Sequence, residues 1–355
     1  MVLDSDPRSD PSSDPGTDSR SIWGLAEPRL GLALGGAHDA KALDRDRAWV
    51  LEAERLDLHS VWLPEMHFAP GGCPAPLIEL AGLAARTERI RLGTTSLLLP
   101  LHPAEVLAGQ IAALDRISRG RALVGLGRGF RRPMLEAFGV DPASKRDRFD
   151  ESLDRMLAIW RDAHDRGGPL APHQRPHPPL AVAAFGPKGL AQAARRGLPY
   201  LASPVETLDQ IEQNQARHRA LLQGPDRRSL SLLMRTVFVC DDARMLETAR
   251  TILAEEMSQG RLRGPASLRQ ALEAPLEARA ILGTPQAVRE RLRRDCQRLD
   301  VDLLIVRPRI PQLPPGTTER SFEILAREIW PDLQAERAAR RSASRSPASE
   351  ARRGR

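Results

Sequence analysis

The sequence predicts an α/β protein of the (β/α)8 TIM-barrel class. Eight short apolar runs of strand character alternate with amphipathic helical runs along most of the 355 residues, the rhythm of a parallel sheet wound with helices. Polar and glycine residues gather just after several strand runs, where a parallel barrel presents its chemistry. The hydrophobic fraction is 41% with only 4% aromatic residues, so Leu, Val, Ile and Ala must fill the core.

The expected strands are Leu30–Gly35, Ser60–Pro64, Arg91–Leu99, Ala122–Leu126, Leu180–Ala184, Pro199–Ser203, Ser231–Val239 and Asp302–Val306. The helical patterns between them cover Asp44–Leu56, Leu77–Thr87, Ala104–Ile117, Arg146–Arg161, Lys188–Arg196, Val205–Leu222, Ala243–Met257 and Pro285–Leu299, with a last one over Glu319–Leu333. Gly283-Thr284-Pro285 supplies a turn in which Thr284 caps a helix and Pro285 opens it. Ser258–Ala280 is a weaker helical stretch, read as an insertion, and proline-rich loops fall at Gly167–Pro179 and Arg307–Pro315.

Residues 1–28, rich in Asp, Ser and Pro, read as a disordered leader, 29–335 as one barrel domain, and 336–355 as a disordered basic tail. The net charge of +7 raises the question of nucleic acid. The leader is acidic and the tail holds seven arginines, and the tail reads as a solvated segment with no specific nucleic-acid function. No apolar run approaches the roughly 20 residues that span a bilayer, and the N-terminus lacks the pattern of a secretory signal. Cys73, Cys240 and Cys296 are too scattered for a disulfide framework or a zinc site. Together these point to a cytoplasmic protein without a metal.

Four segments carry chemistry. Glu65-Met66-His67-Phe68 ends the second strand, where a carboxylate and an imidazole would face the barrel mouth. The structural alternative is an ion-paired Glu65 and a satisfied His67. Leu92–Leu97 holds Gly93, Thr94, Thr95 and Ser96, small residues that would let a planar ring lie against the backbone. His102 follows as a second candidate imidazole or a helix cap. Gly125-Leu126-Gly127-Arg128-Gly129 would bring backbone amides and a guanidinium to a phosphate. Its G-x-G-x-G spacing is not a dinucleotide fingerprint. Lys145-Arg146-Asp147-Arg148 offers further cations, and Gly186-Pro187-Lys188-Gly189 forms either a phosphate-binding helix start or a plain turn.

V-W-L-P-E-M-H-F, A-A-R-T-E-R-I-R-L-G-T, L-L-P-L-H-P, L-D-R-I-S-R-G-R and G-L-G-R-G-F occur in this order. They are joined by F-G-V-D, R-F-D-E-S-L, G-T-P-Q-A-V and L-A-R-E-I-W-P. The set resembles the bacterial luciferase-like flavin-dependent oxidoreductases over about Leu30 to Leu333. The resemblance implies a TIM barrel binding FMN, or in a related branch a deazaflavin, at its C-terminal mouth. In the monooxygenase branch reduced FMN and O2 act on a small organic substrate, with a separate flavin reductase as partner and a homodimer through barrel helices. The other activities it leaves open are a deazaflavin-dependent dehydrogenase and a non-catalytic flavin-binding subunit.

The resemblance places Arg128, and Arg146 or Arg148, on the phosphate of the cofactor, and a non-proline cis peptide at Thr95–Ser96 beneath the ring. Gly186, Lys188 and Gly189 stand where relatives use hydroxyls on the phosphate. Glu65, His67 and His102 are the catalytic candidates, with Glu65 orienting the imidazoles. Met66 departs from the pattern, because the luciferase catalytic subunit has histidine there. Methionine cannot take a proton, which excludes a general base at this position. Gly127 stands where luciferase has a reactive cysteine.

Overall fold

The computed structural model describes residues 19–35, 40–68, 72–223, 229–260, 266–310 and 312–344. Nine strands form one parallel sheet: β1 (Arg29–Ala33), β2 (Ser60–Leu63), β3 (Arg91–Leu98), β4 (Ala122–Gly127), β5 (Leu180–Ala183), β6 (Tyr200–Ala202), β7 (Leu232–Val239), β8 (Ala280–Gly283) and β9 (Leu303–Arg307). Strands β1 to β7 pair in sequence, β7 pairs with β9, and β9 returns to β1, closing an eight-stranded barrel. All eight barrel strands coincide with expected ones.

The ninth, β8, is an addition. It pairs only with the outer half of β7, from Thr236↔Ala280 to Val239↔Gly283. Its four residues are too short to announce themselves, and they straddle what reads as the end of a helix and a turn. Thr284 and Pro285 do start the helix that follows, and the Thr284 hydroxyl accepts the Ala287 N–H at 3.3 Å.

The helices are α1 (Ser19–Trp23), α2 (Ala40–Arg55), α3 (Pro76–Ala84), α4 (Ala104–Ile117), α5 (Arg132–Ala137), α6 (Lys145–Arg166) and α7 (Pro187–Ala194). They continue with α8 (Leu208–Leu221), α9 (Ala243–Gly260), α10 (Ala266–Glu273), α11 (Pro285–Arg298), α12 (Thr317–Ile324) and α13 (Trp330–Ser344). Strand side chains alternate between two apolar layers, as the two-residue period of a strand requires. Leu30, Leu32, Val61, Leu63, Leu92 and Val124 point outward into the layer shared with the helices. Ala33, Trp62, Leu123, Ala181, Leu201, Met234 and Ile305 fill the barrel itself.

Two expectations change here. Of the leader, residues 1–18 lie outside the described part, but 19–28 are built into the fold. Trp23 and Leu25 are buried with Leu230, Leu232 and Leu303 at the N-terminal end of the barrel. The sequence hides this because two apolar anchors sit in a polar, proline-rich surround. Of the tail, residues up to 344 continue α13, and only those beyond lie outside the described part. Arg337 explains the extension: it is buried and hydrogen-bonds the backbone carbonyls of Cys296 and Val301.

One of the small residues of β3, Gly93, serves a ring of the barrel itself. A Cβ on Gly93 would lie 2.3 Å from the Trp62 indole, so Gly93 makes room for the barrel's own tryptophan. The indole N–H donates to Ser60 Oγ at 2.8 Å, Ser60 Oγ meets His59 Nδ1 at 2.9 Å, and His59 Nε2 meets the Trp23 carbonyl at 2.8 Å. A carbonyl only accepts, so Nε2 carries the proton and Nδ1 takes the Ser60 hydroxyl.

Burial, together with the nearby Arg91 and Arg29, pushes the His59 pKa down to about 4, against the pull of the Trp23 carbonyl. The unfolded chain, at about 6.5, takes up this proton first as the pH falls. The stabilisation is therefore complete above pH 6.5 and is lost between 6.5 and 4. This loss should be on the order of 3 kcal/mol for the pair of values. Denaturant melts at pH 7.5 and 4.5 should show it, and His59→Gln should flatten it; an equal slope in wild type and variant would refute the assignment.

Candidate active site

The C-terminal ends of β2 and β3 place Glu65 and His102 side by side although 37 residues separate them. Glu65 follows β2, and its own N–H donates to the Ser96 carbonyl at 3.3 Å. Its carboxylate is fully buried and accepts three hydrogen bonds. Oε1 takes His67 Nε2 at 2.7 Å and His102 Nε2 at 2.8 Å, and Oε2 takes the Leu98 N–H at 2.7 Å. Burial works to raise the Glu65 pKa. The hydrogen bond and charge of His102, the Leu98 N–H and the His67 bond outweigh it and hold the carboxyl below its usual range.

A carboxylate has no proton to give, so both imidazoles present Nε2–H to it. When neutral, each is left with Nδ1 as its acceptor nitrogen, and among the described residues neither Nδ1 has a hydrogen-bond partner. The pair differs in exposure, with side chains 11% exposed for His67 and 25% for His102. Phe138 packs on His67 with ring centroids 4.6 Å apart. Met66, between the two buried ends of this unit, turns outward and is 40% exposed. The Glu65 carboxylate thus gathers two imidazoles from adjacent strands without any contribution from residue 66.

The peptide bond Thr95–Ser96 is cis, as the family resemblance implied. It accompanies a register shift between Thr95 and Leu97 against β4. This irregularity accounts for two glycines of the G-x-G-x-G run. A Cβ on Gly125 would lie 2.3 Å from the Thr94 carbonyl oxygen, and one on Gly127 would lie 2.2 Å from Ser96 Oγ. Gly125 and Gly127 therefore make room for β3. Gly129, with φ of 69°, turns the chain and offers its carbonyl to Lys145 Nζ at 3.0 Å.

Arg128 lies between these glycines and crosses to the start of α7. Its Nη1 donates to Gln192 Oε1 and its Nη2 to the Ala183 carbonyl, both at 2.8 Å, and the guanidinium carbon stands 5.7 Å from the centre of the Phe149 ring. The passage exists because residue 189 is glycine: a Cβ there would lie 2.3 Å from Arg128 Nη1. Arg128 and the Gly186–Gly189 turn are thus one unit. Lys188, in the first turn of α7, is exposed.

Charge around Arg128 is out of balance. Burial, then repulsion from Arg146, pushes its pKa down to about 10, with Asp150 pulling the other way. Lys145 is lowered by burial and by both Arg146 and Arg128. Of the two candidates for a second cation, Arg146 is the one whose charge reaches Arg128. Asp150 is already engaged by Arg195 at 3.2 Å and Arg196 at 2.6 Å. Among the described residues the half-buried guanidinium hydrogen-bonds only neutral acceptors, an arrangement that fits an anion such as a phosphate.

Gln192 and Asp150 escaped the sequence reading. Asp150 lies inside R-F-D-E-S-L, but nothing in that string says that it reaches α7. The three cysteines are unpaired, and the Cys73 thiol, raised by burial and by its bond to Glu79, is not a reactive one. Among the described residues no group of His, Cys, Asp or Glu could hold a metal, and no helix is long and apolar enough to cross a membrane.

Comparison with known proteins places this geometry in a family. The description luciferase-like monooxygenase matches residues 26–303. The oxygenase component of flavin-dependent trigonelline monooxygenase from Acinetobacter baylyi is 28% identical over 265 residues, 67% of this chain and 72% of that one. Protein y4wF of Sinorhizobium fredii is 36% identical over 176 residues, 45% of this chain, so that the match spans about half (51%) of the relative's length. The oxygenating constituent of 3,6-diketocamphane monooxygenase from Pseudomonas putida, solved in complex with FMN, shares the fold. Its TM-score is 0.69 at 18% identity, over 86% of this chain and 98% of that one. The alternation of strands and helices, the Glu65 cluster and the Arg128 turn therefore have a common setting: the chain belongs to the luciferase-like monooxygenase family.

Proposed function

We propose that this protein is an FMN-dependent monooxygenase, the oxygenase partner of a separate flavin reductase, acting on a small organic substrate with O2. The observation that carries the proposal is the half-buried Arg128, held by neutral groups beside Lys145 and Arg146 on the same barrel mouth as the Glu65 cluster. Arg128, Lys145, Arg146 and the Gly186 and Lys188 amides of the Gly186–Gly189 turn would hold the phosphate, with the Lys188 side chain at its edge. Bound reduced FMN would supply the activation of oxygen.

The chain's own part is to bind, orient and manage protons. Glu65 fixes both imidazoles through Nε2, so that their Nδ1 atoms can accept a hydrogen bond or a proton from a bound molecule. Thr95 and Ser96 present a backbone reshaped by the cis bond, next to the Glu65 N–H. Met66 supplies no base, and His67 and His102 stand in that role.

Titration with FMN and with a deazaflavin, followed by visible absorbance, tests the cofactor. FMN should bind the tighter, and a flavin reductase with O2 should then support oxygen consumption that depends on this protein. Preference for the deazaflavin would move the chain to the hydride-transferring branch. Binding of FMN without such oxygen consumption, unchanged by Met66→His, would mark a non-catalytic subunit.

A further inference from the structure

We propose that Gln192 is a positioning residue for anion capture. It fixes the Arg128 guanidinium while leaving its charge uncompensated, so that affinity for a phosphate-bearing ligand depends on residue 192 being neutral. The proposal rests on the reading of the Arg128 site as the phosphate end of a flavin site.

Gln192 is 3% exposed and uses both ends of its amide. Oε1 accepts Arg128 Nη1–H at 2.8 Å, while Nε2 donates to Asp150 Oδ2 at 2.8 Å and to the Arg146 carbonyl at 3.1 Å. The amide therefore stands between the Arg128 guanidinium and the Asp150 carboxylate. Its orientation is set by chemistry, because Asp150 and the Arg146 carbonyl only accept, so the NH2 end must face them and the oxygen must face Arg128. Asp150 in turn is held by Arg195 and Arg196, which keeps it away from Arg128.

A carboxylate at position 192 would fit the same space but form a buried ion pair with Arg128. An incoming phosphate would then have to displace it, or meet its repulsion. An arginine placed by a glutamine stays oriented and remains attractive to an anion. The geometry does the same for Lys145, whose ammonium is held by the Gly129 carbonyl, another neutral acceptor.

The test compares wild type, Gln192→Glu and Gln192→Met, by fluorescence titration with FMN and with riboflavin, which lacks the phosphate. Thermal melts with inorganic phosphate run alongside. Gln192→Glu should weaken FMN binding about 30-fold or more, the scale of a lost charge-assisted contact, and leave riboflavin within about twofold. Its melting temperature should no longer rise with phosphate. Because the new carboxyl would face Asp150, the loss of FMN binding should deepen as the pH rises and that carboxyl ionises. Gln192→Met, which frees Arg128 without adding charge, should fall between.

FMN affinity unchanged in both variants overturns the proposal, and so does an equal loss of FMN and riboflavin, which would mark Gln192 as a packing residue. A wild type that prefers FMN no more than riboflavin, with no phosphate shift that Arg128→Ala removes, overturns the phosphate reading and this proposal together.

Discussion

Arg128→Ala is expected to weaken FMN binding about 100-fold or more, the scale of removing an oriented bidentate cation from a phosphate. It should leave riboflavin almost untouched. Lys145 and Arg146 remain in the variant, but Arg128 is the one held in place from two sides, by Gln192 and the Ala183 carbonyl. Arg128→Lys should recover little, since one ammonium cannot span both acceptors and a ligand as a planar fork does. Gly189→Ala should reproduce the loss without touching the arginine, because its Cβ would fall 2.3 Å from Nη1 and push the guanidinium aside.

The stability of the ligand-free protein should move the opposite way. Burial and the neighbouring Arg146 lower the Arg128 pKa to about 10. The charged form present at neutral pH is thus disfavoured by folding, on the order of 3 kcal/mol. Arg128→Met removes that cost together with two hydrogen bonds. Its melting temperature without ligand should be no lower than wild type, while FMN should no longer raise it. A variant that binds FMN as wild type does would show that the phosphate lies elsewhere. One that melts far below wild type would show that Arg128 is structural.

What could be read in advance follows the range of the interactions concerned. Barrel strands buried on both faces are apolar runs in any context, which is why all eight were legible. Strand β8 was not, because Ala280–Gly283 is a strand only by virtue of the β7 edge it finds. Trp23 and Leu25 act as a floor for the barrel only once β7 and β9 have closed beside them. In the site, Glu65, His67 and Arg128 stand at strand ends, a place the alternation of elements marks. Gln192 lies on a helix, Asp150 on another, and their link to Arg128 exists only in three dimensions. The glycines teach a related lesson. Gly93, Gly125 and Gly127 looked like room for a ligand, but the atoms they avoid are Trp62, Thr94 and Ser96 of the barrel itself.

Glu65→Ala should cost the protein about 3 kcal/mol and scramble both imidazoles, since one buried carboxylate satisfies three donors at once. The Leu98 N–H loses its acceptor outright, and His67 and His102 lose the atom that selects their tautomer. Glu65→Gln should not rescue the cluster. A carboxamide has one acceptor end: with its oxygen on the Leu98 N–H, its NH2 group would face both imidazoles and bond them only in the opposite, Nδ1–H tautomer, and turned round it would set NH2 against the Leu98 N–H, where two donors cannot bond. The expected sign with pH follows from the lowered Glu65 pKa. Its stabilisation is present above the unfolded carboxyl value and is lost as the pH falls through the folded one, so Glu65→Ala should lose that acid-side dependence. Nitrogen NMR of His67 and His102 gives the most direct measurement. Wild type should show both as Nε2–H tautomers when neutral, and Glu65→Ala should show mixed ones. If the variant keeps the Nε2–H tautomer at both rings, the carboxylate does not set them. Loss of turnover on Glu65 substitution would then be ascribed to packing rather than to proton placement. With the tautomers scrambled, the loss should instead be about 100-fold, in the range that a misplaced acid or base produces, and should appear in kcat more than in KM.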